Sequence, residues 1–294
     1  MRAKRVIFEG IAIPILLLAP QLMVTLVFFV WPAIQSIRTS LYEQDAFGLS
    51  ETFVGLYNFL KIINDAEYLK VVFLTVCFSI ITTLITMSFA LLFAVISDRL
   101  IRPANIYKLL IILPYAVAPA IAGVMWWFLF NPTIGILAKF LSLFGINWNH
   151  FLNSNHAFLL IIIASSWKQI SYNYLFYLAG LQSIPKSLLE AASIDGADGI
   201  TRFMKITFPL LMPTSFFLII TNIVYAFCDT FAVVHATSAG GPGNSTTTMI
   251  YKIYRDGFEG LDLGLSSAQS VILMILVGTL TLIQYRYIER NINY

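Results

Sequence analysis

Two charged positions stand inside otherwise uncharged, largely apolar stretches: Lys168, within 157–181, and Asp229, within 207–234. Lys168 lies about eleven residues into its stretch, near mid-bilayer at ~1.5 Å per helical residue. An unpaired cation at that depth costs at least ~2.5–3.5 kcal/mol, so it must face a partner, a cavity or an anionic ligand. Ser165, Gln169 and Tyr172 share its helical face, and Asn222, Tyr225, Ala226 and Asp229 recur at spacings of three and four. Lysine chemistry suits an anion such as phosphate, while Gln169, Asn222 and the tyrosines suit hydroxyls. A Lys168–Asp229 ion pair is the competing explanation, and the two are compatible if a ligand competes for the lysine.

The groups needed for catalysis do not assemble. The chain has no G-x-x-x-x-G-K-[ST], no G-x-S-x-G, no H-E-x-x-H and no pair of carboxylates in a cleft pattern. Cys77 and Cys228 lie in separate apolar runs, and His150, His156 and His235 are scattered, so neither a disulfide framework nor a metal set is expected. A membrane enzyme using Lys168 and Asp229 is the weaker alternative to a ligand-conducting protein.

The second chemically informative segment is 183–213. Pro185 is suited to open a helix and Gly196 to close it in a left-handed cap, giving a helix of about three turns. Asp198 then caps a second helix carrying Thr201, Arg202, Phe203 and Ile206. The expected product is a helix-turn-helix knob between apolar spans, with Leu188, Leu189 and Phe203 as its apolar teeth. An ordinary interhelical loop is the plainer alternative.

The elements that must position these residues are membrane spans. Charged residues make up 11% of the 294-residue chain, against about a quarter in soluble domains, and mean hydropathy is +0.81. The net charge of +3 is dispersed and gives no reason to expect a nucleic-acid partner. Six segments are long and apolar enough to cross a bilayer: about 11–31, 71–97, 106–130, 157–181, 207–234 and 266–288. The first follows Arg2, Lys4 and Arg5 but is too long for a signal-peptide core, and we read it as a retained span. Eleven Lys and Arg residues (Arg2, Lys4, Arg5, Arg99, Arg102, Lys108, Lys186, Arg202, Lys205, Arg286, Arg290) gather on one side and six (Arg38, Lys61, Lys70, Lys139, Lys252, Arg255) on the other. The richer side is the cytoplasm, which places both termini and the 183–206 knob inside. Ser79, Thr82, Thr83 and Thr86 fall on one face of the second span and suit helix packing. Pro114, Pro119 and Gly123 predict a bent or interrupted third span that faces inward. Loops 32–70, 131–156 and 235–265 are too short for a further domain and predict a partly helical external cap.

Glu190-Ala191-Ala192, Gly196 six residues after the Glu, and Ile206-x-x-Pro209 match the EAA motif of binding-protein-dependent ABC import permeases. Leu181-Gln182-Ser183-Ile184-Pro185, Asp195-Gly196-Ala197 and Gly240-Gly241-Pro242 resemble its maltose-type, carbohydrate branch. The segments 113–119, 167–173, 225–227 and 250–255 resemble the A-type permease subunits of sn-glycerol-3-phosphate importers, and the likeness runs over essentially the whole chain. The resemblance implies an all-α, polytopic membrane protein of the type I ABC importer permease fold: a single permease domain over 1–294, core spans about 71–288, coupling loop 183–213. It implies that the first span wraps a neighbour while the other five surround a cavity. It also implies a second homologous permease subunit, two copies of a cytoplasmic ATPase, an external or periplasmic solute-binding protein, and residence in the bacterial inner membrane. No cofactor is expected in this chain, since ATP and Mg would be used by the ATPase. On this resemblance Ser165, Lys168, Gln169, Tyr172, Asn222, Tyr225 and Asp229 bind cargo at mid-membrane. Leu188, Leu189, Glu190, Ala191, Ala192, Asp195, Gly196 and Phe203 couple to the ATPase. A neutral sugar or oligosaccharide is the alternative cargo.

Overall fold

The structure, a computed structural model, describes residues 12–44, 50–99 and 104–291. Arg2, Lys4, Arg5 and Arg102, four of the cations that set the expected orientation, lie outside the described residues. The chain divides into two compact units, one of 1–64 with 255–272 and one of 65–254 with 273–294.

The smaller unit holds the first span. Ala12–Thr25, a π-helical turn Leu26–Val30 and Trp31–Thr39 run on as one helix, Ile13–Thr39, with no buried residue in its most apolar window. An antiparallel hairpin follows, pairing Tyr42–Gln44 with Glu51–Phe53 so that Tyr42 faces Phe53. Its base is fixed by Asn58, which is buried and donates to the carbonyls of Ser40 and Tyr42, both at 3.0 Å. The ion pairs Arg38–Glu51 and Lys61–Asp262 are largely exposed and contribute little.

The larger unit is built on two long helices, Ala66–Arg99 and Ser154–Ser183. They approach closely because small residues line the contact: Ala90 and Ala94, one turn apart, are fully buried against Tyr174, Tyr177 and Leu178. Ser97 Oγ and Tyr174 Oη share a hydrogen bond of 2.6 Å. Ser79, Thr82, Thr83 and Thr86 are all buried, as a packing face requires. A second cluster joins Phe78, Ile161 and Ile162 to Ala226, Val234 and Tyr251. Gly123 marks a close crossing: a Cβ there would stand 2.8 Å from the Ala236 Cβ and 3.1 Å from the Val233 carbonyl oxygen.

Among the described residues, four helices are long and apolar enough to span a bilayer: Ile13–Thr39, Ala66–Asp98, Met212–Asp229 and Leu263–Arg286. A fifth candidate is the pair Ile106–Ala116 and Pro119–Leu129, bent by 103°. The break falls at the two prolines from which the sequence predicts it. Ser154–Ser183 has the length, at 30 residues, but not the apolarity, because Ser165, Ser166, Lys168, Gln169, Ser171 and Asn173 lie along it. Five of these six are buried against protein, so this helix does not need a lipid-compatible surface.

Candidate functional site

A cavity of about 650 Å³ opens between the broken third span, the central helix Ser154–Ser183 and the helix that begins at Met212. Lys168, Gln169 and Tyr172 line it from the central helix, Tyr115 and Pro119 from the break, and Ile220, Thr221, Val224, Tyr225 and Asp229 from the third element. Five of the seven residues expected to meet cargo therefore share one wall-to-wall space. The size is in the range of small-molecule sites.

Ser165 and Asn222 sit elsewhere. Ser165 is fully buried, and its carbonyl accepts from Tyr225 Oη at 3.4 Å. Asn222 is turned toward Asn173 in a reciprocal amide pair: Asn173 Nδ2 donates to Asn222 Oδ1 at 3.0 Å and Asn222 Nδ2 to Asn173 Oδ1 at 2.7 Å. The second N–H of each amide goes to a carbonyl one turn back, Gln169 at 2.9 Å and Leu218 at 2.8 Å. All four amide hydrogens are thus spent within the protein. Beyond Asn222 the helix widens into a π-helical turn, Tyr225–Asp229, which carries the phenol and the carboxylate of the cavity.

Lys168 is not paired with Asp229. Its Nζ donates to the backbone carbonyls of Tyr115 at 3.1 Å and Val117 at 2.5 Å, and stands 5.3 Å from the centroid of the Tyr115 ring. The ion pair weighed from the sequence is replaced by a contact with the broken helix, whose carbonyl end attracts a cation. An ammonium has three N–H donors, so one remains for the cavity. Tyr115 and Tyr172 pack at 5.9 Å between centroids, and Tyr172 continues to Phe176 at 4.9 Å. The arrangement offers one cation, one exposed carboxylate, an amide and phenols among apolar walls. It can orient a small, hydroxylated, anionic molecule, and it holds no nucleophile–base pair.

Tyr115, Pro119, Ile220, Thr221 and Val224 were not singled out as cavity residues from the sequence. The prolines signalled the break, and Tyr115 follows Pro114 directly; the others carry no signal beyond ordinary span composition.

The knob forms as its caps predict. The helix runs Lys186–Ile194 after Pro185. Gly196 takes φ +81°, its N–H bonds to the Ser193 carbonyl at 3.2 Å, and the Ala197 N–H bonds to the Ala192 carbonyl at 2.9 Å. These two bonds make a Schellman cap. Asp198 caps the next helix, accepting from the Thr201 N–H at 2.9 Å, and the Thr201 hydroxyl together with that N–H holds its carboxyl below the usual carboxylate range. Gly199–Arg202 then passes into a π-helical turn, Phe203–Thr207. The apolar teeth divide differently from expectation. Leu188 is exposed, but Leu189 and Phe203 are half-buried and line a space of about 580 Å³ on the knob's inner side. The outward apolar side chains are Leu188, Ile194, Ile200 and Met204, with Ile194 86% exposed. Glu190, Ala191 and Asp195 are exposed, and Ala192 is buried. Arg202 donates to Ser193 Oγ and ties the two helices of the knob together.

No group of three or more His, Cys, Asp or Glu suited to a metal occurs among the described residues. The model of the family described as binding-protein-dependent transport system inner membrane component matches residues 73–294. The sn-glycerol-3-phosphate transport system permease protein UgpA of Agrobacterium fabrum is 53% identical over 291 residues, covering 99% of each chain. A crystal structure of a bacterial ABC transporter that imports the acidic polysaccharide alginate superposes with a TM-score of 0.82 at 20% identity, covering 96% of each chain. The alginate transporter in complex with an alginate pentasaccharide-bound periplasmic protein gives 0.80 at 20% identity, covering 95% of this chain and 94% of that one. At that identity the likeness is one of fold.

Proposed function

Because the chain belongs to the family of binding-protein-dependent transport system inner membrane components, we propose that it is the permease subunit through which a bacterial ABC importer takes up sn-glycerol-3-phosphate. The observation that carries this reading is 53% identity with a permease of that name over 99% of both chains. The cavity supports it. Lys168 keeps one N–H for a phosphate oxygen, while Gln169, Tyr172, Tyr225 and Thr221 offer groups for glycerol hydroxyls. A single-pronged contact with the phosphate keeps the site weak, as a conduit requires, since cargo must leave again.

The chain acts in the inner membrane with both termini in the cytoplasm, beside a second homologous permease. Two copies of a cytoplasmic ATPase bind ATP and Mg; this chain carries no P-loop of its own. The knob at 185–206 docks into the ATPase through Leu188, Ile194, Ile200 and Met204, with Glu190 and Gly196 shaping the turn. Closure of the ATPase pair draws two such knobs together and turns the cavity from inward- to outward-facing. An external binding protein delivers the cargo, in keeping with a fold neighbour that was solved with its periplasmic protein.

The test is uptake of radiolabelled glycerol-3-phosphate and of maltose by cells expressing the complete transporter. Saturable, ATP-dependent accumulation of glycerol-3-phosphate without maltose is expected. Maltose uptake alone would overturn the cargo assignment and leave the permease role standing.

A further inference from the structure

Proline 119 has no N–H, so it cannot serve the carbonyl one helical turn before it, that of Tyr115. The stretch Leu113–Ala116 tightens into a 3-10 turn, which shifts its N–H groups to nearer carbonyls and leaves Ile111 short of its α-helical partner. Val117 and Ala118 are extended and make no helix at all. The break therefore strands carbonyl groups at membrane depth, where each needs a donor from elsewhere in the protein.

The central helix supplies those donors from one face. Lys168 Nζ meets the carbonyls of Tyr115 and Val117, at 3.1 and 2.5 Å. Ser171 Oγ, one turn further on, donates to the Ile111 carbonyl at 2.6 Å. Lys168 is half-buried and Ser171 fully buried. Three backbone acceptors of the broken span are thus held by two side chains spaced i and i+3. Tyr115 and Pro119, which the break aims at the cavity, lie within this stretch or directly after it.

We infer that Lys168 and Ser171 are positioning residues that splint the break in the third span, and that this splint sets the cavity wall formed by Tyr115 and Pro119. The role rests on the transport reading above but asks something different of Lys168. Its charge is needed by the protein's own backbone whether or not cargo is present. Ser171 separates the two roles, since it binds the break and does not line the cavity.

The experiment uses the complete transporter in cells, with uptake normalised to the amount of assembled complex. Ser171→Ala is expected to raise KM for glycerol-3-phosphate about two- to tenfold, the loss of one net hydrogen bond, with the maximal rate within about twofold. Ser171→Thr restores KM. Because both side chains act on the same break, Lys168→Met with Ser171→Ala is no worse than Lys168→Met alone. A wild-type KM in Ser171→Ala, or full additivity in the double variant, overturns the splint and leaves Lys168 as a cargo ligand only. Should Ser171→Ala fail to accumulate, Ser171→Cys keeps the size and weakens the donor, and a wild-type KM there overturns the splint equally. A second readout is independent of cargo. Ala116, exposed at the break, is changed to Cys and its labelling rate by a thiol reagent is measured above the background of Cys77 and Cys228. Removing Ser171 changes that rate if the splint holds the break, and an unchanged rate overturns it. If the wild-type complex takes up no glycerol-3-phosphate, the cargo reading fails while the labelling still decides the splint.

Discussion

Replacing Asn222 by Leu separates a cargo ligand from a packing device. Asn222 and Asn173 are 2% and 0% exposed and exchange two hydrogen bonds, of 3.0 and 2.7 Å. Asn222→Leu leaves Asn173 with one orphaned N–H and one orphaned carbonyl oxygen in a dry interior. At ~1–3 kcal/mol per unsatisfied group in soluble proteins, and ~0.6–1.7 kcal/mol per interhelical bond inside membranes, the single change costs about 2–4 kcal/mol. Asn173→Leu with Asn222→Leu removes both needs at once and refills the space with apolar atoms, so most of the loss returns. The assay is the midpoint of thermal inactivation of the solubilised complex, read beside KM for uptake. The single variants should inactivate several degrees lower, and the double variant should recover most of that interval with KM within about twofold of wild type. A single variant as stable as wild type would refute the paired-amide reasoning. A stable double variant with a large rise in KM would return Asn222 to the cargo site.

Gly196→Val should insert normally but lose assembly or ATP-coupled uptake. Holding φ at +81° costs a side chain about 1–2 kcal/mol. No atom lies within 4 Å of the missing Cβ, so Gly196→Asn, which tolerates this conformation, should retain uptake; loss in both would point to contact with the ATPase instead. Asp229→Asn should leave the amount of complex unchanged, because Asp229 makes no ion pair with Lys168; immunoblots of membranes decide it. Burial lowers the pKa of His150 from its ordinary 6.5. The unfolded loop then binds a proton that the folded one refuses, so stability present above pH 6.5 falls as pH drops below it. His150→Phe should flatten that dependence in thermal inactivation measured from pH 7.5 to 5.5.

What was legible in the sequence follows the range of the forces involved. The knob's limits could be read because Pro185, Gly196 and Asp198 act on backbone groups a few residues away. A mid-span Lys168 announced that it needed a partner, but not which one. The carbonyls that hold it are stranded by prolines fifty residues upstream and carry no side-chain signature. Helical spacing grouped Asn222 with Tyr225 and Asp229, but periodicity says nothing about whether a polar face meets a cavity or another amide. The π-helical turn Tyr225–Asp229 then shifts the register between them. Leu189 and Phe203 read as outward teeth because amphipathicity does not reveal the space they line beneath the knob. The hairpin Tyr42–Phe53 had no run long enough to be seen.

The low apolarity of Ser154–Ser183 has a consequence for how the protein is made. A nascent segment is sorted into the bilayer by its own partition free energy, and a central lysine alone weighs about 2.5–3.5 kcal/mol against entry. Ser165, Ser166, Gln169, Ser171 and Asn173 add five more hydroxyl- or amide-bearing side chains within five positions of it. Lys168 and Ser171 find their acceptors on the third span, which leaves the ribosome earlier. The helix is therefore expected to enter lipid together with Ile106–Leu129, whose carbonyls Lys168 and Ser171 meet in the folded chain. On that expectation, the carbonyls that shape the cavity would also order the making of the chain.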